Sequence, residues 1–234
     1  MLVHPEVEAW MRTLDEKTTA CVFAAIDALA EFGPVLQRPL ADTLTGSTVK
    51  NLKELRPGSS GRSEVRILFA FDPVRQAVLL VAGDKAKEWT RWYQRCHPAS
   101  GAAVRRACRS PGRKGREMTE MIPWEQVRAE ALESGRVTQD ALTRAQTEQD
   151  AHVAGYRLGE LRGKAGMTQI QVAESMMVSQ ARVSAMERGE VDSLTVASVR
   201  AYITALGGTV RIVASLDDTD VTLRLPGDPH PTAA

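Results

Sequence analysis

The run at residues 97–117, HPASGAAVRRACRSPGRKGRE, carries no sustained helical or strand period and is rich in Arg, Gly, Pro, Ser and Ala. A stretch without periodicity has no apolar face to offer a core. The chain must therefore build its cores on either side, in residues 1–96 and 118–234. Six of the run's charged residues are basic and one is acidic, a net +5, whereas residues 118–234 hold eleven basic against sixteen acidic, a net −5. The formal total of +1 over 234 residues hides this asymmetry, so contact with nucleic acid has to come from local placement of charge. With 43% apolar and 25% charged residues, the chain has the composition of ordinary globular domains.

Before the run, Val7, Trp10, Met11 and Leu14 recur at helical spacing. Val22, Phe23, Ile26, Leu29 and Ala30 form one face of a second helix, which Gly33-Pro34 ends. Three β-like runs follow at residues 49–56, 64–71 and 76–81. In the middle run Val65, Ile67, Phe69 and Phe71 alternate with Arg66, Leu68 and Ala70, which predicts a strand with one well-buried face. Asp72-Pro73 predicts a turn joining the second and third runs as an antiparallel hairpin. A closing helix-like segment carries Trp89, Trp92 and Tyr93, residues better suited to a core than to base stacking.

After the run the pattern becomes helical. Pro123 and Trp124 open a helix through Leu132 that Gly135 ends, and a long helix over about 139–162 turns Leu158 and Leu161 inward. Three short helices start at Thr168, Ser179 and about Leu194, and β-like runs at 209–216 and 221–225 flank Asp217-Asp218. Cys21, Cys96 and Cys108 are odd in number and lack close ligand spacing, so neither a disulfide framework nor a metal site is expected, and no cofactor. No stretch reads as a run of the roughly 20 apolar residues needed to span a bilayer, and the expected compartment is the cytoplasm.

The segment from Leu161 to Gln169 (LRGKAGMTQ), continuing through Val172-Ala173 to Val178-Ser179-Gln180-Ala181-Arg182-Val183-Ser184 and Glu187-Arg188-Gly189, carries the strongest functional signal. Thr168 and Ser179 are cap residues that start two short helices, each leaving backbone N–H groups for a phosphate. Val172, Ala173, Val178, Val183 and Met186 supply a small apolar seam between them. Gln180, Ala181, Arg182 and Ser184 then fall on the exposed front of the second helix, where Gln suits adenine and Arg suits guanine. Lys164 and Gln169 are placed for phosphates. A plain helical bundle with a solvated polar face is the competing reading. The motif resembles the XRE/Cro-type helix-turn-helix, at about 155–207, and Tyr202 to Gly208 followed by a strand resembles its HigA-type antitoxin branch. That resemblance implies operator DNA as partner and a homodimer on paired half-sites.

Residues 1–96 resemble the phage-derived RelE/HigB toxin family, through Leu52-Lys53-Glu54-Leu55-Arg56, the run from Val65 to Asp72, and Val78 to Lys85. The resemblance implies a small α+β domain of two helices, an antiparallel sheet and a C-terminal helix, followed here by an all-α helix-turn-helix domain with a short β element. It also implies a ribosome-dependent mRNA endonuclease that needs no metal. Such chemistry needs cations around a crowded phosphate. Arg56, Arg66 and Lys85 are the catalytic candidates, and Arg62 and Lys87 the outer RNA-binding ones; solvated strand-edge charges are the equally weighted alternative. The run 97–117 is either a basic linker or an out-of-frame toxin tail, with Met118 the start of an ancestral antitoxin. Two functions compete: a self-neutralised toxin–antitoxin fusion that represses its own operator, and a DNA-binding regulator carrying an inactive toxin-like interaction domain.

Overall fold

The computed structural model describes residues 1–44, 52–58, 64–84, 121–217 and 219–223. It divides into two compact units, Met1–Gln149 and Asp150–Ala234. The run 97–117 lies outside the described residues, as do Arg62, Lys85, Lys87, Cys96, Cys108 and the Trp89–Tyr93 segment. Residues 121–149 fold with the N-terminal part although they lie beyond that run.

The first unit is built on a six-stranded sheet. Its strands are β1 (Leu2–Val3), β2 (Ala41–Thr43), β3 (Lys53–Leu55), β4 (Val65–Phe71), β5 (Ala77–Asp84) and β6 (Ile122–Pro123), in the spatial order β2-β3-β4-β5-β1-β6. Pairing is antiparallel except between β1 and β5, which run parallel. The sequence predicts β3, β4 and β5 but not β1, β2 or β6, since two or three residues are too few to display a period. The hairpin turn forms as expected: Asp72 Oδ1 accepts the Val74 and Gln76 N–H groups at 2.9 and 2.8 Å, and Arg75 takes φ 65°.

Helices α1 (Pro5–Met11), α2 (Glu16–Phe32) and α3 (Trp124–Glu133) lie in the same unit. Asp15 caps α2 by accepting the Thr18 N–H at 2.9 Å and its hydroxyl at 2.6 Å, which holds the Asp15 carboxyl below its ordinary range. Gly33 ends it at φ 53°. The segment Glu16–Val35 is apolar enough by composition to be taken for a membrane span, contrary to the reading that no stretch qualifies. Ala20, Val22, Phe23, Ala24, Ala25, Ile26, Ala28 and Leu29 are all buried, which makes it a core helix.

Strand β4 departs from expectation in being buried on both faces. Val65, Ile67 and Phe69 are enclosed on one side, and Leu68 and Ala70 join Leu52, Val78 and Leu80 in a cluster on the other.

The second unit continues the long helix α4 (Gln139–Lys164), whose N-terminal part belongs to the first unit, and adds α5 (Gln169–Met176), α6 (Gln180–Arg188), α7 (Val196–Ala205) and the hairpin β7 (Ile212–Leu216) with β8 (Thr219–Leu223). Its core gathers Leu158, Val172, Ala173, Val183, Met186 and Tyr202. Two expected core positions are not there: Leu161 is 43% exposed and Val178 38%. Leu161 lies three residues past Leu158, on the flank of a helix whose buried stripe is narrow because glycines replace larger residues. A Cβ on Gly155 would stand 2.5 Å from the Met186 carbonyl oxygen, and one on Gly189 would meet the His152 backbone. Helix α4 therefore touches the end of α6 backbone to backbone.

Gly155→Ala should destabilise the second unit by about 1–3 kcal/mol through overpacking. Gly163→Ala, where a Cβ meets nothing within 4 Å, should stabilise α4 by about 0.5–1 kcal/mol. Urea unfolding of the two variants beside the wild type checks both signs.

Candidate nucleic-acid interface

Thr168 and Ser179 start the motif helices as the sequence predicts. Thr168 Oγ1 accepts the Gln171 N–H at 3.3 Å while Gln171 Oε1 accepts the Thr168 N–H at 2.8 Å, a reciprocal cap. Ser179 Oγ accepts the Arg182 N–H at 3.2 Å. Between the helices Met177 takes a left-handed φ of 54° with its side chain almost fully exposed. The two cap hydroxyls are thus occupied, and the first N–H groups of α5 and α6 stay free of helical partners.

Gln180, Ala181 and Arg182 are exposed on the first turn of α6, with Ser184 half-buried one turn on. Gln180 Nε2 donates to Gln169 Oε1 at 2.6 Å, and Gln169 Nε2 donates to Glu187 Oε2 at 2.9 Å. Both ends of the Gln169 amide are therefore used inside the motif, where they orient Gln180. Ser184 Oγ accepts from Arg188 Nη1 at 2.6 Å. Arg182 and Lys164 are exposed, and among the described residues neither side chain is paired.

Sequence reasoning missed the group that holds this arrangement together. Glu187 receives Arg162 Nε and Nη2 at 2.6 and 2.8 Å and the Tyr202 hydroxyl at 2.6 Å, besides Gln169. Burial pushes the Glu187 carboxyl up, but the bonds from Arg162, Tyr202 and Gln169 outweigh it and leave it below its ordinary value. Burial, followed by the bond to Glu187, raises the Tyr202 phenol well above its ordinary value. Arg162 also donates Nη1 to the Met167 carbonyl at 3.0 Å, tying the start of α5 to the same carboxylate. The Glu-Arg-Gly ending of the motif was the available signal, but nothing in the spacing couples Arg162 to Glu187 across 25 residues.

In the first unit, the register places Asp42 opposite Glu54 and Glu54 opposite Leu68 on one sheet face. Alternation puts Arg56 and Arg66 on that face too. Glu54 is 1% exposed, and its Oε1 lies 2.7 Å from Arg66 Nε and 3.5 Å from Arg56 Nε. Arg56 Nη2 reaches Asp42 at 3.0 Å, Arg38 Nη2 reaches Asp42 at 2.6 Å, and Arg66 Nη2 stands 3.6 Å from Glu64. Arg38 first, with help from Thr43 and Arg56, holds the Asp42 carboxyl below its ordinary range against the effect of burial. The two described catalytic candidates thus meet on one carboxylate; the third, Lys85, lies outside the described residues.

Residues 9–98 match the family model described as phage derived protein Gp49-like (DUF891), and residues 158–213 match a helix-turn-helix model. The chain is 63% identical over 87 residues to HigB2 of Mycobacterium tuberculosis, named as a toxin; the match takes in 37% of this chain and 43% of that protein, so the chain spans less than half of this relative's length. It is 50% identical over 93 residues to HigB3, likewise named as a toxin, covering 40% of this chain and 79% of HigB3. It is 39% identical over 107 residues to HigA3, named as an antitoxin, covering 45% of this chain and 98% of HigA3, both from the same organism. The chain belongs to the HigB and HigA families, joined in one polypeptide. Its HigB-type domain carries the arginine cluster and its HigA-type part carries the helix-turn-helix.

Between the two family matches, residues 121–149 are built into the unit that holds the HigB-type domain. Strand β6 pairs with β1, and the Trp124 N–H donates to the Met1 carbonyl at 3.1 Å. Trp124, 2% exposed, begins α3 (Trp124–Glu133) with its ring edge-on to Phe23 at 4.7 Å and its Nε1–H donated to Asp27 Oδ1 at 2.8 Å. Arg128 pairs with the other Asp27 oxygen at 3.1 Å, Arg12 with Glu130 at 2.6 Å, and Thr138 Oγ1 donates to Glu16 at 2.9 Å. Gln149 Nε2 donates to the Ala24 carbonyl at 3.2 Å.

Because Glu187 titrates lower when folded, its contribution to stability is complete above its ordinary value of 4.5 and is lost as pH falls below it. Glu187→Gln should cost about 2–3 kcal/mol at neutral pH and remove that acid-sensitive part. Amide protection factors in α5 and α6 between pH 3 and 7 measure both effects.

Proposed function

We propose that the chain is a self-restrained toxin–antitoxin fusion acting in the cytoplasm: its HigA-type part binds operator DNA and represses transcription of its own gene, while residues 121–149 restrain the HigB-type domain in cis. The observation that carries this reading is the seating of Trp124 on Phe23 and Asp27, which makes the segment ahead of the helix-turn-helix part of the HigB-type fold. A tether keeps such a segment at high effective concentration, so modest contacts suffice for restraint.

On DNA, the exposed front of α6 enters the major groove with Gln180, Ala181, Arg182 and Ser184 toward base edges. Thr168 and Ser179 present helix N-termini to phosphates, Lys164 adds a phosphate contact, and Gln169 fixes Gln180. Two copies on paired half-sites match the usual geometry of such motifs. In the HigB-type domain, Arg56, Arg66 and Lys85 act on an mRNA phosphate at the ribosome, and Arg62 and Lys87 hold the flanking backbone.

A second reading is favoured by one observation: Arg56 and Arg66 are already paired with Asp42, Glu54 and Glu64. On that reading the HigB-type domain is a catalytically inactive interaction module of a DNA-binding regulator.

Mobility shifts on DNA from upstream of the chain's own gene test the first half. Arg182→Ala should cost about 1–3 kcal/mol and relax preference at one base pair, whereas Lys164→Ala should weaken all sequences alike and lower the salt slope by about 1. Growth of cells expressing the full chain tests the second half. Trp124→Ala with Arg128→Ala should arrest growth, and adding Arg56→Ala with Arg66→Ala should restore it. Unimpaired growth, with the folded variant accumulating, selects the regulator.

A further inference from the structure

Two arginines on one face of neighbouring strands repel each other, and like charges across a ladder are destabilising. Arg66 sits on β4 with Gly83 as its neighbour on β5, which offers it no side-chain partner on that flank. Arg56 follows β3 by one residue, with its N–H donated to the Leu40 carbonyl at 2.7 Å. The carboxylate of Glu54 approaches both guanidinium groups at Nε, the nitrogen nearest the stem. These are ion-pair contacts and not hydrogen bonds, and beyond them Arg56 Nη2 meets Asp42 and Arg66 Nη2 meets Glu64, while Arg66 Nη1 donates to the Val65 carbonyl at 2.7 Å. Glu54 is enclosed, while Asp42 and Glu64 are 23% and 51% exposed. The inner carboxylate is therefore fixed and the outer two are exchangeable.

We propose that Glu54 is a positioning residue that holds Arg56 and Arg66 as a two-pronged clamp for a single phosphodiester of RNA. The role rests on the reading of these arginines as phosphate-binding groups. Glu54 itself does not touch the phosphate: it sets the spacing and direction of the two guanidinium groups and offsets their mutual repulsion. The incoming phosphate displaces Asp42 and Glu64 at the rim and takes the terminal N–H groups they occupied. Rigid planar donors held in register bind phosphate in a bidentate manner that unrestrained side chains do not reproduce. Among the described residues, the hydrogen bonds and ion pairs of residues 121–149 reach neither Arg56 nor Arg66, so the clamp is testable in the full chain.

Simple electrostatics and positioning predict opposite signs. Removing a negative charge beside two arginines should tighten binding of an anion, whereas removing the residue that aims them should weaken it. The probe is a fluorescein-labelled single-stranded oligoribonucleotide, read by anisotropy against the full chain with excess unlabelled duplex DNA occupying the helix-turn-helix. Glu54→Ala should bind RNA about tenfold more weakly despite the more positive site. Glu54→Gln keeps the length of the side chain but loses the charge that offsets the repulsion of the two arginines, and should also bind RNA more weakly than the wild type; tighter binding in that variant overturns the role of Glu54. Glu54→Asp keeps the charge but withdraws the carboxylate by one methylene, and should bind about as weakly as the Ala variant; it carries the test if the Ala variant does not fold. Wild-type affinity in Glu54→Asp, or undiminished affinity in folded Glu54→Ala, overturns the role of Glu54. If Arg56→Ala with Arg66→Ala leaves RNA affinity unchanged, the phosphate reading itself falls and the clamp with it; if that pair weakens binding and the Glu54 variants do not, only Glu54 is dismissed.

Discussion

The indole of Trp124 is held at both ends, its ring edge against Phe23 and its N–H on Asp27. Burying a tryptophan with its polar atom satisfied contributes on the order of 3–5 kcal/mol, judged by the cost of truncating one. Around it Val127, Ala131, Val137, Leu142 and Ala145 are buried as well, so residues 121–149 share a core with the helices they cover. The bond from the Trp124 N–H to Met1 and the pairing of β6 with β1 bring the first residues of the chain and the segment ahead of the helix-turn-helix into one sheet. These contacts make residues 121–149 a part of the same fold.

In the second unit the corresponding role falls to a carboxylate. Glu187 takes four donors from Arg162, Tyr202 and Gln169, which belong to α4, α7 and α5, while itself lying on α6. A buried ion pair is costly unless its remaining hydrogen-bonding capacity is filled, and here it is filled. The backbone approach at Gly155 and Gly189 is what brings Arg162 within reach. Through Gln169 the same network ends on Gln180, on the exposed first turn of α6. The interior of the motif and the exposed Gln180 are in this way joined by one chain of bonds.

The HigB-type sheet shows a different balance. Three guanidinium groups, from Arg38, Arg56 and Arg66, face three carboxylates, from Asp42, Glu54 and Glu64, on and beside strands β2, β3 and β4. Opposed carboxylates at Asp42 and Glu54 would be unfavourable alone, and so would the arginines. Together they compensate in one salt-bridge network. The difference between the two functional readings of this domain reduces to which carboxylates yield to a phosphate.

Much of this was legible in the residues. The cap at Thr168, the cap at Ser179 and the turn at Asp72 are local chemistry, in which a side chain bonds backbone two to four residues away, and the stop at Gly33 is a local backbone conformation that glycine adopts freely. The alternation of β4 and the order of helices after residue 121 follow from periodicity in the same way. The two-stranded end of the second unit was also expected, although its strands begin and end a few residues from where the pattern suggested. What escaped was everything that depends on meeting a distant partner: the two-residue strands β1 and β6, the Trp124 seat, the Glu187 network, the burial of β4 on both faces and the neutralisation of Arg56 and Arg66. The sequence by itself determined the helices of the helix-turn-helix, because those rest on contacts within a few residues and on a periodic apolar face, and it pointed to the two halves through motifs that resemble known families. Only the tertiary structure decided where residues 121–149 belong and which charges pair, because the partners are far apart in sequence, 25 positions for Arg162 and Glu187 and 97 for Trp124 and Asp27, and no local pattern records that distance.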